Sequence, residues 1–282
     1  MLELLKWVEE VIDADEINIS VSREDYINMW KGAREETSSS ISTMHFGHYK
    51  SAAKSQFMSE VHSLFAHITA HTGFPLPRWS NGLQVMLLKE LGNLSLEKLR
   101  AILLIEADYN WLAKLLVNKR LIPSAEDKNL IPNEEFGSQS DHRAIEVAVC
   151  HRLFWDRLRQ LRQAGGLGSF DAAQCYDCIV HLFCSMGAQA WGMPLSAIFC
   201  LLLAIQTMCF FLRTGYGDSD RSYGGTREDP FQGVCQGNGA GPGLWLCSCS
   251  FIVAYLRKAG HAVPIVSAIT NTLLTLAALL FV

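Results

Sequence analysis

The run FDAAQCYDCIV, residues 170–180, sets two carboxylates, Asp171 and Asp177, six positions apart around an uncharged stretch ending in Cys175 and Tyr176. Paired acids are common holders of divalent cations and common partners in general acid–base chemistry. An acid that closes a short strand just before a helix can equally act as an N-cap, and taken alone capping accounts for Asp171. A second stretch, QGNGAGP at 236–242, places three glycines and a proline at the entry to an apolar helix, Leu244 to Leu256. It reads either as a turn into a buried helix or as a phosphate cradle, since glycines let backbone amides approach an anion at a helix N-terminus. It lacks the lysine of a Walker loop, does not fit GxGxxG, and no acid follows where a ribose would need one, so dinucleotide binding is excluded. Cys175, Cys178, His181 and Cys184 recur every three residues. Helical steps of about 300° would fan four such ligands too widely to close on one zinc ion, and packed small thiols explain them instead.

Such residues need a scaffold, and the composition supplies one. With 282 residues, 49% hydrophobic and 18% charged, the chain has enough apolar content for a sizeable core. A net charge of −4 gives no global attraction for nucleic acid, so any polyanion contact must come from local basic patches. Nine cysteines lack the regular spacing of a secreted disulfide framework, and no signal-peptide pattern opens the chain, which points to an intracellular, reduced protein, nuclear or cytoplasmic. Leu195 to Leu212, eighteen uncharged residues, and His261 to Val282, without acid, lysine or arginine, approach the length of a membrane span. Ser196, Gln206 and Thr207 interrupt the first; Pro264, Ser267, Asn271 and several threonines interrupt the second. Both read as buried elements, and no membrane partner is expected.

Along the chain, an acidic amphipathic start (Leu2, Leu5, Val8, Val11, Ile12) reads as a short surface helix, followed by a second element near Tyr26 to Trp30. A polar loop at 37–50 precedes a helix from Ser51 to His71, and GFPLPRW breaks it. Leu83 to Leu88 reads as a strand delivering Lys89 to a Gly92-Asn93 turn. Residues 96–121 read as a strand passing into a long helix with a basic end at Lys119-Arg120, where cations suit the helix dipole. Pro123 to Asp141 is expected as a loop, and Arg143 to Arg162 as a helix whose five arginines face only Glu146 and Asp156. GGLGSFDAAQ reads as an entry into a short strand. Helices over Tyr176 to Trp191 and Leu195 to Leu212 follow, split by Gly192-Met193-Pro194, and then a polar segment from Thr214 to Asp229. Helices and strands mix without a regular βαβ alternation, which favours an α+β fold over a doubly wound sheet.

An acid with an aromatic five residues on, followed later by Gln-Gly and a small residue before Pro, is similar to the palm of reverse transcriptases. TMHFGHYKSA, LEKLRAILLIEADYNWL, EEFGSQSDHRAIEVAV, FDAAQCYD, WGMP and VCQGNGAGPGLWL stand in the order seen in the reverse transcriptase (RNA-directed DNA polymerase) domains of retroelements, from about residue 30 to the end. The resemblance implies the fingers and palm of a right-hand polymerase with the thumb absent. Residues 1–80 would form an N-terminal helical extension and the start of the fingers, 81–165 the fingers, and 166–282 an incomplete palm. It implies a template of RNA or DNA with primer and a deoxynucleoside triphosphate, and transfer of the nucleotide to the primer 3′-end. Asp171, assisted by the Ala172 carbonyl, would hold two Mg²⁺ ions. Tyr176 would stand under the incoming sugar and exclude a 2′-hydroxyl, while Asp177 would start the helix outside the metal set. Gln236 and Gly237 would contact the nucleotide and template, and Lys89 and Arg100 would clamp the triphosphate. Arg100 is followed by Ala101 in place of the family's usual Pro, and FGSQSDHRA departs from the commoner glycine- and arginine-rich form, which leaves Gln139 and Arg143 at the template-contact positions.

The family's second acidic pair lies at a palm hairpin, and no acid follows Asp229 here. The apolar tail then reads as the palm strand that would deliver that pair, cut before it, and the expectation is a chain inactive by itself. Two alternatives stand beside this reading. One is a helical protein anchored in a membrane by Ala262 to Val282; the other is a catalytically dead, reverse transcriptase-derived binding or structural domain.

Overall fold

Helix α1 (Arg23–Lys31) begins where Ser22 and Asp25 cap each other: the Ser22 amide donates to the Asp25 carboxylate at 2.8 Å and the Asp25 amide to the Ser22 hydroxyl at 3.1 Å. The helix is part of a computed structural model that describes residues 15–35, 40–93, 95, 98–140, 142–167, 175–226, 228–261, 263–266 and 273–276. Its buried side chains, Tyr26 and Trp30, belong to the main core. Trp30 stacks on Tyr49 of α2 (Phe46–Ala52) with ring centroids 4.7 Å apart, and Tyr26 meets the edge of Trp111 at 5.4 Å. Helix α3 (Gln56–Thr72) is capped by the Ser55 hydroxyl and ends at Gly73 in the left-handed conformation.

Strands β1 (Asn81–Leu88) and β2 (Leu99–Leu104) form an antiparallel hairpin registered from Leu83 opposite Leu104 to Leu88 opposite Leu99. The chain then runs through α4 (Ala107–Ala113), a π-helical stretch (Lys114–Leu121), α5 (Ile122–Asp127) and α6 (Ala144–Leu161). A 3₁₀ turn (Cys175–Cys178) leads to α7 (His181–Ala190) and α8 (Leu195–Gln206). Strand β3 (Cys209–Thr214) returns parallel to β1, and β4 (Gly217–Gly224) pairs antiparallel with β3, giving the order β2-β1-β3-β4. The parallel pairing obliges a long crossover, which the intervening helices supply. This mixed sheet takes two strands from 81–165 and two from 166–282. Helix α9 (Gly241–Lys258) starts with Pro242 in its first turn, and strands β5 (Val263–Val266) and β6 (Leu273–Leu276) form a separate antiparallel pair.

Several expectations are corrected. The apolar run Leu195 to Leu212 is not one helix: it is α8 followed by β3, and Ala197, Leu201, Ile205 and Phe210 are buried in the core. No helix among the described residues is long and apolar enough to cross a membrane. The segment from Ser51 to His71 is two helices, because Ser55 caps the second. The helix carrying Lys119 and Arg120 does not stop there. Its π-turn pairs the Ile122 amide with the Val117 carbonyl, and Pro123 follows directly as the second residue of α5. The helix expected from Tyr176 starts only at His181, because Gly233, at φ 85°, closes a loop against Asp177 and donates its amide to the Ile179 carbonyl at 3.0 Å. The segment from Thr214 is a hairpin through β4, and the described parts of the tail are two strands, not one. The helix expected over residues 2–12 and the strand leading into Asp171 lie outside the described residues.

Candidate functional site

The glycine loop is held between two motifs that are far from it in sequence. The Leu103 amide on the outer edge of β2 donates to the Gln236 carbonyl at 2.8 Å, so the loop extends the sheet edge. Gly237 follows at φ 131°, and a Cβ there would lie 2.3 Å from the Leu103 carbonyl oxygen. Only glycine permits both that backbone angle and that approach. Asn110 of α4 clamps the loop: its Nδ2 donates to the Gly237 carbonyl at 3.3 Å, and its Oδ1 accepts from the Gly239 amide at 2.8 Å. Asn118 Nδ2, in the π-helical stretch, donates to the Gly239 carbonyl at 2.7 Å. The Lys114 stem crosses Gly239 so closely that a Cβ there would fall 1.7 Å from Lys114 Cε.

On its other flank the loop meets Tyr176. The Val234 amide donates to the Tyr176 carbonyl at 2.8 Å, and Gly241 lies beside the phenol ring, which would stand in ordinary contact, at 3.5 Å, with an added Cβ. Burial raises the Tyr176 hydroxyl and also the Asp177 carboxyl above their ordinary values. Cys235, fully buried, sits at φ 65°, a conformation that costs a non-glycine residue on the order of 1–3 kcal/mol and recurs at functional sites.

A buried charge cluster fixes the corner that carries Asn110. The Arg78 guanidinium makes a fork to Asp108 and reaches Glu106 at 3.3 Å and the Tyr49 hydroxyl at 3.2 Å, while the Ser42 hydroxyl donates to Glu106 at 2.8 Å. Burial alone would lower the Arg78 pKa, but Asp108 and Tyr49 hold it above its ordinary value. Glu106 and Asp108 occupy the turn from β2 into α4, immediately before Tyr109, whose hydroxyl donates to the Leu201 carbonyl at 2.8 Å.

Of the residues singled out by sequence, Gln236 and Gly237 belong to a loop whose flanking residues Val234 and Gly241 meet Tyr176. Arg100 lies on β2 three residues before Leu103, about 10 Å along the strand, and opposite Leu87. Lys89 lies just past β1, with its amide donating to the Lys98 carbonyl at 3.0 Å, so Lys89 and Arg100 share one face as diagonal neighbours. Both are exposed, and Lys98 is paired with Glu90 instead. Asp171 and Ala172 lie outside the described residues. Among the described residues no group of three or more His, Cys, Asp or Glu side chains could hold a metal ion, so the fit to Mg²⁺ rests on no observed set. Gln139 is spent on the Glu135 carbonyl, and Arg143 is exposed at the entry to α6. His181 Nε2 donates to the Gly233 carbonyl, which ties that ring to the loop.

Four amides of QGNGAGP are engaged within the chain: those of Asn238 and Gly241 go to the Cys235 and Asn238 carbonyls, and those of Gly239 and Ala240 to Asn side chains, which argues against a phosphate cradle built on them. Asn110 and Asn118 were not anticipated. Their signal is an amide side chain inside an otherwise apolar helix, where Asn is a poor helix former and needs a partner.

No protein-family model matches the chain, and none of the curated proteins searched matches it.

Proposed function

We propose that the chain is a reverse transcriptase-like fingers and palm segment of a retroelement, which takes an RNA or DNA template with primer and a deoxynucleoside triphosphate. The observation that carries this reading is the seating of the QG loop: Gln236 and Gly237 lie against β2 at Leu103, and Val234 and Gly241 on either side of them meet Tyr176. Stretches more than sixty residues apart in sequence thus border one surface, with Arg100 farther along the same β2 strand. In this reading Lys89 and Arg100, exposed cations on one face of the hairpin, receive the triphosphate. Tyr176 limits the space under the sugar, and the Gln236-Gly237 backbone borders the nucleotide. The expectation that Asp171 and Ala172 hold Mg²⁺ rests on the resemblance alone.

Binding is the quantity to measure, because within residues 1–282 no acid follows Asp229 to share a metal with Asp171. Magnesium dATP and magnesium ATP are titrated onto the chain loaded with a fluorescent primer–template. The deoxynucleotide binds more tightly. Arg100→Ala weakens both by about tenfold or more, the loss expected of a charge-assisted hydrogen bond worth roughly 1.5–3 kcal/mol. Tyr176→Ala abolishes the preference for the deoxynucleotide while leaving its affinity nearly intact. Equal affinity of the parent chain for both nucleotides, or indifference to Arg100→Ala, counts against the proposal.

A further inference from the structure

Helix α3 presents different residues to its two sides. Ser59, Ser63, Ala66 and Ala70 turn toward the core. On the opposite side Phe57, Val61, Leu64 and Ile68 follow one another at steps of four, three and four, the spacing of a helix–helix seam. Met58 and Phe65 border this seam on one flank, Glu60 and His67 on the other. The patch continues past the helix end to Phe74 and, across Gly73, to Phe199 of α8.

The exposed area is that of an interface. Phe57 is 70% exposed, Phe65 49%, Phe74 73% and Phe199 55%. At about 200 Å² per ring, these four side chains leave roughly 500 Å² in water. Leu64 and Ile68, also exposed, raise that toward the roughly 800 Å² that each partner of a standard complex buries. Helix α6 exposes Ile145, Val149 and Leu153 as well, but Arg152 and Arg159 pair with Asp156 among them, and covering that face would strip water from charges.

We propose that a second copy of the same chain covers the α3–α8 face, with the two α3 helices packed antiparallel about a two-fold axis. The seam is complementary to itself in that arrangement. Phe57 meets the partner's Ile68, Val61 meets the partner's Leu64, and the axis repeats both contacts. The same register sets Met58 beside the partner's Phe65 and Glu60 beside the partner's His67. His67 Nδ1 accepts the Val21 amide at 3.2 Å, so in the neutral ring Nε2 carries the proton and has it to donate to that carboxylate. A parallel pairing would set Glu60 against the partner's Phe65, which offers no donor. Phe74 and Phe199 stand at the end of α3 that lies next to the partner's Phe57.

Sedimentation velocity of the full chain between about 1 and 50 µM tests this. The expected species is a dimer with a dissociation constant in the micromolar range or below, as for other interfaces of this size. Ile68→Glu sets a carboxylate against an apolar ring twice per dimer and weakens association by roughly a hundredfold or more, and Phe57→Lys does the same. Both positions are solvent-exposed in the single chain, so the far-ultraviolet circular dichroism and urea midpoint stay those of the parent. Photoreactive benzoylphenylalanine in place of Phe57, in a mixture of ¹⁴N- and ¹⁵N-labelled chains, gives mixed-isotope cross-links to the far end of α3 or to α8. A monomer at about 50 µM, a dimer indifferent to both substitutions, or mixed-isotope cross-links that join Phe57 positions to each other or to α6 overturns the proposal. A cross-link found only within one chain does so too, because another part of that chain then covers the face.

Discussion

Replacing Gly237 by alanine tests whether the glycine loop is held on β2 by backbone approach. The φ of 131° belongs to a region occupied almost only by glycine, and holding alanine there costs on the order of 1–3 kcal/mol. The added methyl would stand 2.3 Å from the Leu103 carbonyl oxygen, and that atom is backbone in a paired strand, so it cannot swing aside. Relief requires the loop to lift, which breaks the 2.8 Å bond from the Leu103 amide to Gln236 and strains the Asn110 clamp, each worth about 1 kcal/mol. The sum, about 3–5 kcal/mol, is a large share of the stability of a typical domain. Urea unfolding reports it as a lower midpoint, and hydrogen exchange reports a faster Leu103 amide if the loop lifts without global loss. A midpoint within about 0.5 kcal/mol of the parent, together with unchanged Leu103 protection, would refute the reasoning.

Two further outcomes follow from buried charge. Arg78→Met leaves Glu106 and Asp108 buried without a counter-charge and lowers stability by about 3–5 kcal/mol; a urea midpoint close to the parent's would contradict this. Glu135 is buried beside Glu134, and burial first, then that neighbour, push its carboxyl up to about 8 from an ordinary 4.5. The folded chain therefore keeps a proton that the unfolded chain loses. Stability is fully present below about pH 4.5 and falls as pH rises toward 8, by on the order of 4 kcal/mol at most. Glu135→Gln removes this slope and makes the variant the more stable form at pH 8, as urea midpoints at pH 5 and 8 will show; a parent whose midpoint rises over that interval would speak against it.

How much of this was readable in the sequence depended on the range of the interaction that decides each feature. Strand β1 and helix α6 appear nearly where the sequence puts them, because the residues that mark them are local. The division of Leu195 to Leu212 was not readable. A uniformly apolar run carries no period, and what ends α8 is the pairing of Cys209 and Phe210 with Asn81 and Gly82, residues far away in sequence. The delayed start of α7 has the same origin: the Gly233 loop closes on Asp177 from outside the segment.

The candidate site divides along that line. Glycines at 237 and 239 announce close approach by their type alone, and the structure supplies what they approach: the Leu103 carbonyl and the Lys114 stem. The same glycines also suggested a phosphate cradle, and type could not separate the two uses, because the difference lies in whether the amides are free. Here Asn110 and Asn238 occupy those of Gly239 and Ala240. Asn110 in turn is held by the corner that Arg78 braces through Asp108, two residues before it. Arg78 is therefore a positioning residue for the loop, and Arg78→Met raises the exchange rate of the Gly239 amide by more than its loss of overall stability accounts for.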